Sequence, residues 1–147
     1  MPCGYRDVHL EIHSTIEALD LVQAVTEHIA RRLGIDEESL HWTAMAVRES
    51  VVNAITHGNE SDPGKIVFID YCATPEAEPA DFIVSVRDQG SGFDPDVLKN
   101  PLAHENMLST SGRGVFLIRQ FMDEVSIRPA PQGGMEVRMT KRIRPSE

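Results

Sequence analysis

Three short stretches of this chain carry residues whose types and spacing could do chemistry. Gly112-Arg113-Gly114 stands directly before an apolar run, Val115 to Met122, that reads as a helix. Glycines ahead of a helix leave backbone N–H groups free beside the positive end of the helix dipole, which is how helices hold phosphates. A flexible loop entering a core helix has the same sequence. Asp88-Gln-Gly90-Ser-Gly92 follows a strand-like run. Two glycines spaced by one let backbone approach a ligand closely, although a tight turn uses the same residues. Glu49 and Asn53 are four apart in a helix-forming stretch, so their side chains lie one above the other on one face. Asn lowers helix propensity in mid-helix, so its presence there asks for a reason.

The elements that must position these groups follow from periodicity. Residues 7–13 alternate apolar and polar with period two, a half-buried strand. Ser14 reads as an N-cap with Glu17 as its capping-box partner. The helix after it runs to about Leu33, with Ile16, Leu19, Val22, Val25 and Ile29 near one face and Gly34 as terminator. Asp36 caps a second helix. At about 100° per residue, Leu40, Ala44, Val47, Val51 and Ile55 form an aliphatic stripe on it. Glu49, Asn53 and Thr56 point the other way, toward water or a ligand, and Gly58 stands where a left-handed cap would sit.

Asn59 to Gly64 is turn chemistry. Lys65 to Cys72 and Phe82 to Val86 are strands that pair as a hairpin across an acidic, proline-containing loop, residues 74–80. Asp96 to Lys99 has room for one helical turn, and residues 100–111 lack a period, as a functional lid or a disordered segment would. Asp123 to Arg128 and Met135 to Ile143 form a second hairpin about the turn Pro131-Gln-Gly-Gly134. Strands joined by short turns and three helices predict an α+β two-layer sandwich, with a mainly antiparallel sheet covered on one face.

Composition bounds the rest. One domain, 1–147, is expected from 147 residues of which 41% are hydrophobic. A net charge of -9 argues against direct nucleic-acid binding, because no basic stripe is available to displace counterions. Cys3 and Cys72 lack metal-ligand spacing and make no disulfide framework, which fits a reduced cytoplasmic compartment. No apolar run approaches the roughly 18 residues that span a membrane, and the N-terminus does not read as a signal peptide.

The three stretches fall in a fixed order: Glu-x-x-x-Asn on a helix, Asp-x-Gly-x-Gly after a strand, Gly-x-Gly before a helix. In that order they resemble the GHKL ATPase superfamily, the histidine-kinase-like ATPases of the Bergerat fold. The segments Glu49-Ser-Val-Val-Asn53-Ala-Ile-Thr-His57-Gly58, Asp88-Gln-Gly-Ser-Gly-Phe-Asp94-Pro95 and Gly112-Arg-Gly-Val-Phe-Leu-Ile-Arg119 look most like the anti-sigma-factor serine kinases of bacterial partner-switching systems. The resemblance implies ATP and Mg²⁺ as cofactors. It makes Asn53 the Mg²⁺ ligand, a hard amide oxygen suited to a metal that keeps several waters. It makes Glu49 the general base on an attacking hydroxyl. Asp88 would accept a hydrogen bond from the adenine amino group, with Gly90 and Gly92 letting backbone lie against the nucleotide. Gly112, Arg113, Gly114 and Val115 would receive the phosphates, with a lid at about residues 94–111. Thr140 would hydrogen-bond near adenine, and His57 is read as structural. One departure stands out: where the family's serine kinases place an arginine and a serine before the lid glycines, this chain has Thr110-Ser111, and its arginine comes later, as Arg113.

The function so implied is that of an ATP-dependent protein serine kinase. It would phosphorylate a STAS-type anti-anti-sigma antagonist and, in the other half of the switch, sequester a sigma factor, as a cytoplasmic homodimer with no membrane contact. Two alternatives stay open. One is a nucleotide-gated anti-sigma binding module with little kinase activity. The other is the catalytic domain of a histidine kinase, which needs a phosphoacceptor helix pair upstream of the first helix.

Overall fold

Strand-forming alternation and amphipathic helices assemble around one sheet face. The computed structural model describes residues 8–75, 80–90 and 113–143. Its elements run β1 (Val8–His13), a 3₁₀ turn (Ile16–Ala18), α1 (Leu19–Arg32), α2 (Glu37–Asn53), a π-turn (Ala54–Gly58), β2 (Ile66–Thr74), β3 (Asp81–Arg87), α3 (Arg113–Phe121), β4 (Glu124–Pro129) and β5 (Met135–Arg142). The five described strands form one sheet in the order β1-β2-β3-β5-β4, every neighbouring pair antiparallel. This is the α+β two-layer sandwich that the sequence predicts.

Register decides which side chains reach the core. Ile69 sits opposite Val86, Tyr71 and Met139 flank Val84, and Val86 meets Val137, so period two sends all of them to one face. The three described helices cover that face. Leu40, Ala44, Val47, Val51 and Ile55, the stripe of α2, are each 2% exposed or less, and burying a Val or Leu side chain in this way stabilises by about 1.5–3 kcal/mol. On α1, Val22 and Ala30 are fully buried, whereas Ile16 is 66% exposed and lies outside the core. Thr26 of α1 pairs its hydroxyl with Tyr71 Oη at 2.8 Å. Burial pushes the Tyr71 phenol up to about 12, so it stays neutral. At the other end of α2, Trp42 stacks on Phe121 with ring centroids 4.5 Å apart, which ties α3 to α2.

Two expected caps are different in fact. Asp36 does cap α2, accepting from Ser39 N at 2.9 Å. Ser14 caps nothing: its hydroxyl donates to Lys65 O at 2.9 Å, and Thr15 precedes the 3₁₀ turn with no side-chain bond. The carbonyl it satisfies belongs to the start of β2, and that long-range bond outcompetes the local capping box. Gly34 ends α1 in the left-handed region, φ +86°, as expected. Gly58 is not in that region; the positive φ values fall on Glu60 and Ser61 instead. Cys72 is buried on β2. No helix among the described residues is long and apolar enough to cross a membrane.

Candidate functional site

The C-terminal end of α2 widens just where Asn53 stands. Asn59 N reaches back to Ala54 O and Ser61 N to Ile55 O, so the chain leaves the helix through a π-turn. Asn59, fully buried, then holds three segments together. Its amide donates to Ser14 Oγ at 2.8 Å and Ile66 O at 3.0 Å, and its oxygen accepts from Gln89 N at 2.7 Å. Gln89 in turn accepts from Ile66 N at 2.7 Å. The residue after Asp88 is thereby clamped from both sides, and Asp88 has little freedom of position.

Asp88 is 2% exposed. Its Oδ1 accepts from Gly90 N at 2.9 Å and Met135 N at 3.2 Å, and its own N–H donates to Met135 O at 3.0 Å. Among the described residues, Oδ2 accepts no hydrogen bond. Burial is the largest influence on the carboxyl and raises its pKa above the ordinary aspartate value. The two backbone donors, and the charges of Lys65 and Arg87, oppose that rise without cancelling it.

Backbone closes around this carboxylate wherever a side chain would not fit. A Cβ on Gly58 would lie 2.1 Å from Asp88 Oδ2, and one on Gly134 2.2 Å from Asp88 O. Gly134 also adopts φ +78°, a region that only glycine enters freely. Gly90 packs as tightly, on Gly58 O. Gly58→Ala is therefore expected to lower the free energy of unfolding by about 1–3 kcal/mol. The check is a shift of the urea midpoint at constant slope. An unmoved midpoint would mean that Asp88 steps aside freely, against its two backbone bonds.

Beside Asp88 lies a small recess, partly open to solvent. Ser50 and Asn53 line it from α2, Ala54 from the π-turn, Val86 from β3, Met135 and Val137 from β5; Ile118 and Ile127 complete it from α3 and β4. Asn53 is only 5% exposed, so the expectation that it shares an open face with Thr56 gives way. The sheet and α3 pack closely enough to bury it, while Thr56 is exposed and Glu49 half-buried. Among the described residues, no side-chain hydrogen bond reaches Asn53 or Glu49.

The structure thus brings Asn53, Asp88 and Gly90 together, with Glu49 one turn before Asn53. Arg113, Gly114 and Val115 form the first turn of α3, one turn ahead of Ile118. Gly92, Gly112 and the lid at 94–111 lie outside the described residues. Thr140 does not join the site. On β5 the pleat turns Met135, Val137 and Met139 inward, so Thr140 faces the other side of the sheet, opposite Ile83 in register. The β5 residue that meets Asp88 is Met135. Sequence reasoning missed Ser50, Asn59, Gly58 and Gly134 as parts of the site. The turn-like Gly133-Gly134 pair was the one local signal, since a glycine pair also marks close backbone approach.

Residues 12–141 match the family model described as the histidine kinase-like ATPase domain. The chain is 36% identical over 103 residues to an anti-sigma F factor of Oceanobacillus iheyensis, covering 69% of this chain and 68% of that protein. It is 27% identical over 143 residues to the serine-protein kinase RsbW of Staphylococcus epidermidis, covering 93% and 87% respectively. Among solved structures, the RsbU and RsbW domains of Rv1364c from Mycobacterium tuberculosis superpose with a TM-score of 0.63 at 20% identity, a likeness of fold. The alignment covers 96% of this chain and 34% of that one, so the chain spans about a third of that structure.

Proposed function

This chain belongs to the histidine kinase-like ATPase domain family, and from that premise we propose that it is an ATP-dependent protein serine kinase with anti-sigma activity. Its relatives include proteins named anti-sigma F factor and serine-protein kinase RsbW. The observation that carries the reading is the pairing, in one recess, of the Asn53 amide and the Asp88 carboxylate, whose side-chain oxygen Oδ2 accepts no hydrogen bond among the described residues. A carboxylate so held accepts a hydrogen bond from an exocyclic amino group, which fits adenine at Asp88. Gly90 keeps side chains off the base.

The residues also fit a divalent ion. Asn53 offers a hard oxygen that takes part in no side-chain hydrogen bond among the described residues, and no group of three His, Cys, Asp or Glu gathers among them. Asn53 would hold such an ion through its amide oxygen, as Mg²⁺ takes oxygen ligands. Bound Mg²⁺ would supply charge neutralisation on the phosphates. Glu49, half-buried one turn along, takes the proton from the attacking serine hydroxyl. The first turn of α3, Arg113 to Val115, offers free N–H groups to the phosphate tail, with Gly112 ahead of it. The segment 94–111 serves as lid.

The phosphorylated protein is a STAS-type anti-anti-sigma antagonist, and the sequestered one a sigma factor, handled by a homodimer. The compartment follows from these partners: the cytoplasm. Incubation with Mg-ATP and a candidate antagonist should yield phosphoserine on the antagonist. Capture of the sigma factor with ATP but no phosphoserine on any antagonist would select the binding-module reading instead, which the shifted lid arginine, Arg113, favours.

A further inference from the structure

The recess holds one polar atom that none of these roles uses. Ser50 lies on α2, one turn before Asn53 and Ala54, and is 1% exposed. Its Oγ is the single buried side-chain nitrogen or oxygen among the described residues with no hydrogen-bond partner. A hydroxyl inside a helix ordinarily returns to the carbonyl four residues back, as Thr26, Thr43 and Thr56 do here. Ser50 does not, and an unpaired buried hydroxyl is costly.

We propose that Ser50 is a base-reading residue, whose hydroxyl donates to N1 of adenine directly or through one bound water. The proposal rests on the nucleotide reading of the recess and adds to it the means of choosing the base. Asp88 presents Oδ2, an acceptor, because Oδ1 is taken by Gly90 N and Met135 N. The amino group of adenine donates to such an acceptor, and the neighbouring ring nitrogen N1 only accepts. A site selective for adenine therefore needs a donor beside its carboxylate. Of the side chains lining the recess, Ala54, Val86, Ile118, Ile127, Met135 and Val137 have no N–H or O–H to offer. Asn53 is committed to the phosphate end. Ser50 remains. Guanine presents the reverse pattern, a carbonyl where the amino group stands and an N–H at N1, so its carbonyl would face the carboxylate.

The test compares ATP with 1-deaza-ATP, which lacks the N1 acceptor, by calorimetry on the parent protein and on Ser50→Ala. The parent should bind ATP about tenfold more tightly than 1-deaza-ATP. Ser50→Ala should lose about tenfold for ATP and no longer distinguish the two ligands. Its ligand-free melting temperature should equal or exceed the parent's, since an orphan hydroxyl is removed. Ser50→Cys, with a weaker donor of similar size, should fall between them. A Ser50→Ala protein that keeps the parent's preference for ATP overturns the assignment of Ser50 alone. A parent protein that binds neither ligand overturns the nucleotide reading as well.

Discussion

Asn53→Ala should lose Mg-ATP binding by about a hundredfold or more, while Glu49→Ala should bind Mg-ATP like the parent and transfer its phosphoryl group about 10²–10⁴ times more slowly. The two residues are one helical turn apart, yet the structure treats them differently. Asn53 lines the recess, is 5% exposed, and takes part in no side-chain hydrogen bond among the described residues, so its amide is available to a ligand. Removing it deletes an interaction made in the ground-state complex, so affinity falls. Glu49 is half-buried and makes no bond among the described residues that folding would miss. Its removal leaves the fold and the nucleotide contacts intact and takes away only the acceptor for the serine proton, so the loss is confined to the chemical step. Calorimetry with Mg-ATP and a phosphotransfer time course separate the two effects. Undiminished transfer by Glu49→Ala would remove it as the base, and parental binding by Asn53→Ala would return that helix face to ordinary structure.

Asp88→Asn should cost about a hundredfold in ATP affinity and yet leave the ligand-free protein at least as stable near neutral pH. The amide oxygen can keep the bonds from Gly90 N and Met135 N. Its NH₂ then takes the place of Oδ2, so a donor confronts the amino group of adenine. Loss of a hydrogen bond to a charged acceptor accounts for a change of this size. The stability half follows from the raised pKa, whose main cause is burial. The folded protein holds this proton more tightly than the unfolded chain does. Folding therefore loses stability as pH climbs from the ordinary aspartate range through the raised folded pKa, and the penalty is complete above it. Asparagine carries no such penalty. The stability difference between Asp88→Asn and the parent should thus be largest above the folded pKa and fade as pH falls below the ordinary range. Urea unfolding at a series of pH values measures it. A variant less stable than the parent at neutral pH, with a gap that narrows on acidification, would mean that the charge itself stabilises the loop.

Much of the molecule follows from periodicities that act within one element. The stripe Leu40-Ala44-Val47-Val51-Ile55, the alternation in β1 and the two hairpins are visible in the chain because side-chain direction repeats every 3.6 or 2 residues wherever the element lies. The order of strands is compatible with the chain but depends on β5 inserting between β3 and β4, a long-range pairing. Ser14 shows the limit of local rules. Its sequence context is a capping box, and its hydroxyl belongs to a carbonyl 51 residues away.

The site divides the same way. Glu49, Asn53, Asp88 and Gly90 were marked by type and spacing, because those spacings are helix turns and loop glycines. Whether a group is buried, paired or aimed at its neighbours depends on what packs against it. Gly58 looks in the sequence like a helix cap, and its real task is to make room for Asp88 Oδ2. Thr140 has suitable chemistry but the wrong parity on β5, and Met135 stands in its place. Ser50 reads as an ordinary helix residue until its hydroxyl is found without a partner. Sequence by itself determined the elements, the family of motifs and the chemical groups at hand, since these are set over a few residues. Only the tertiary structure decided which oxygens are free and which face a common recess, because desolvation and hydrogen-bond pairing are properties of the whole packed chain.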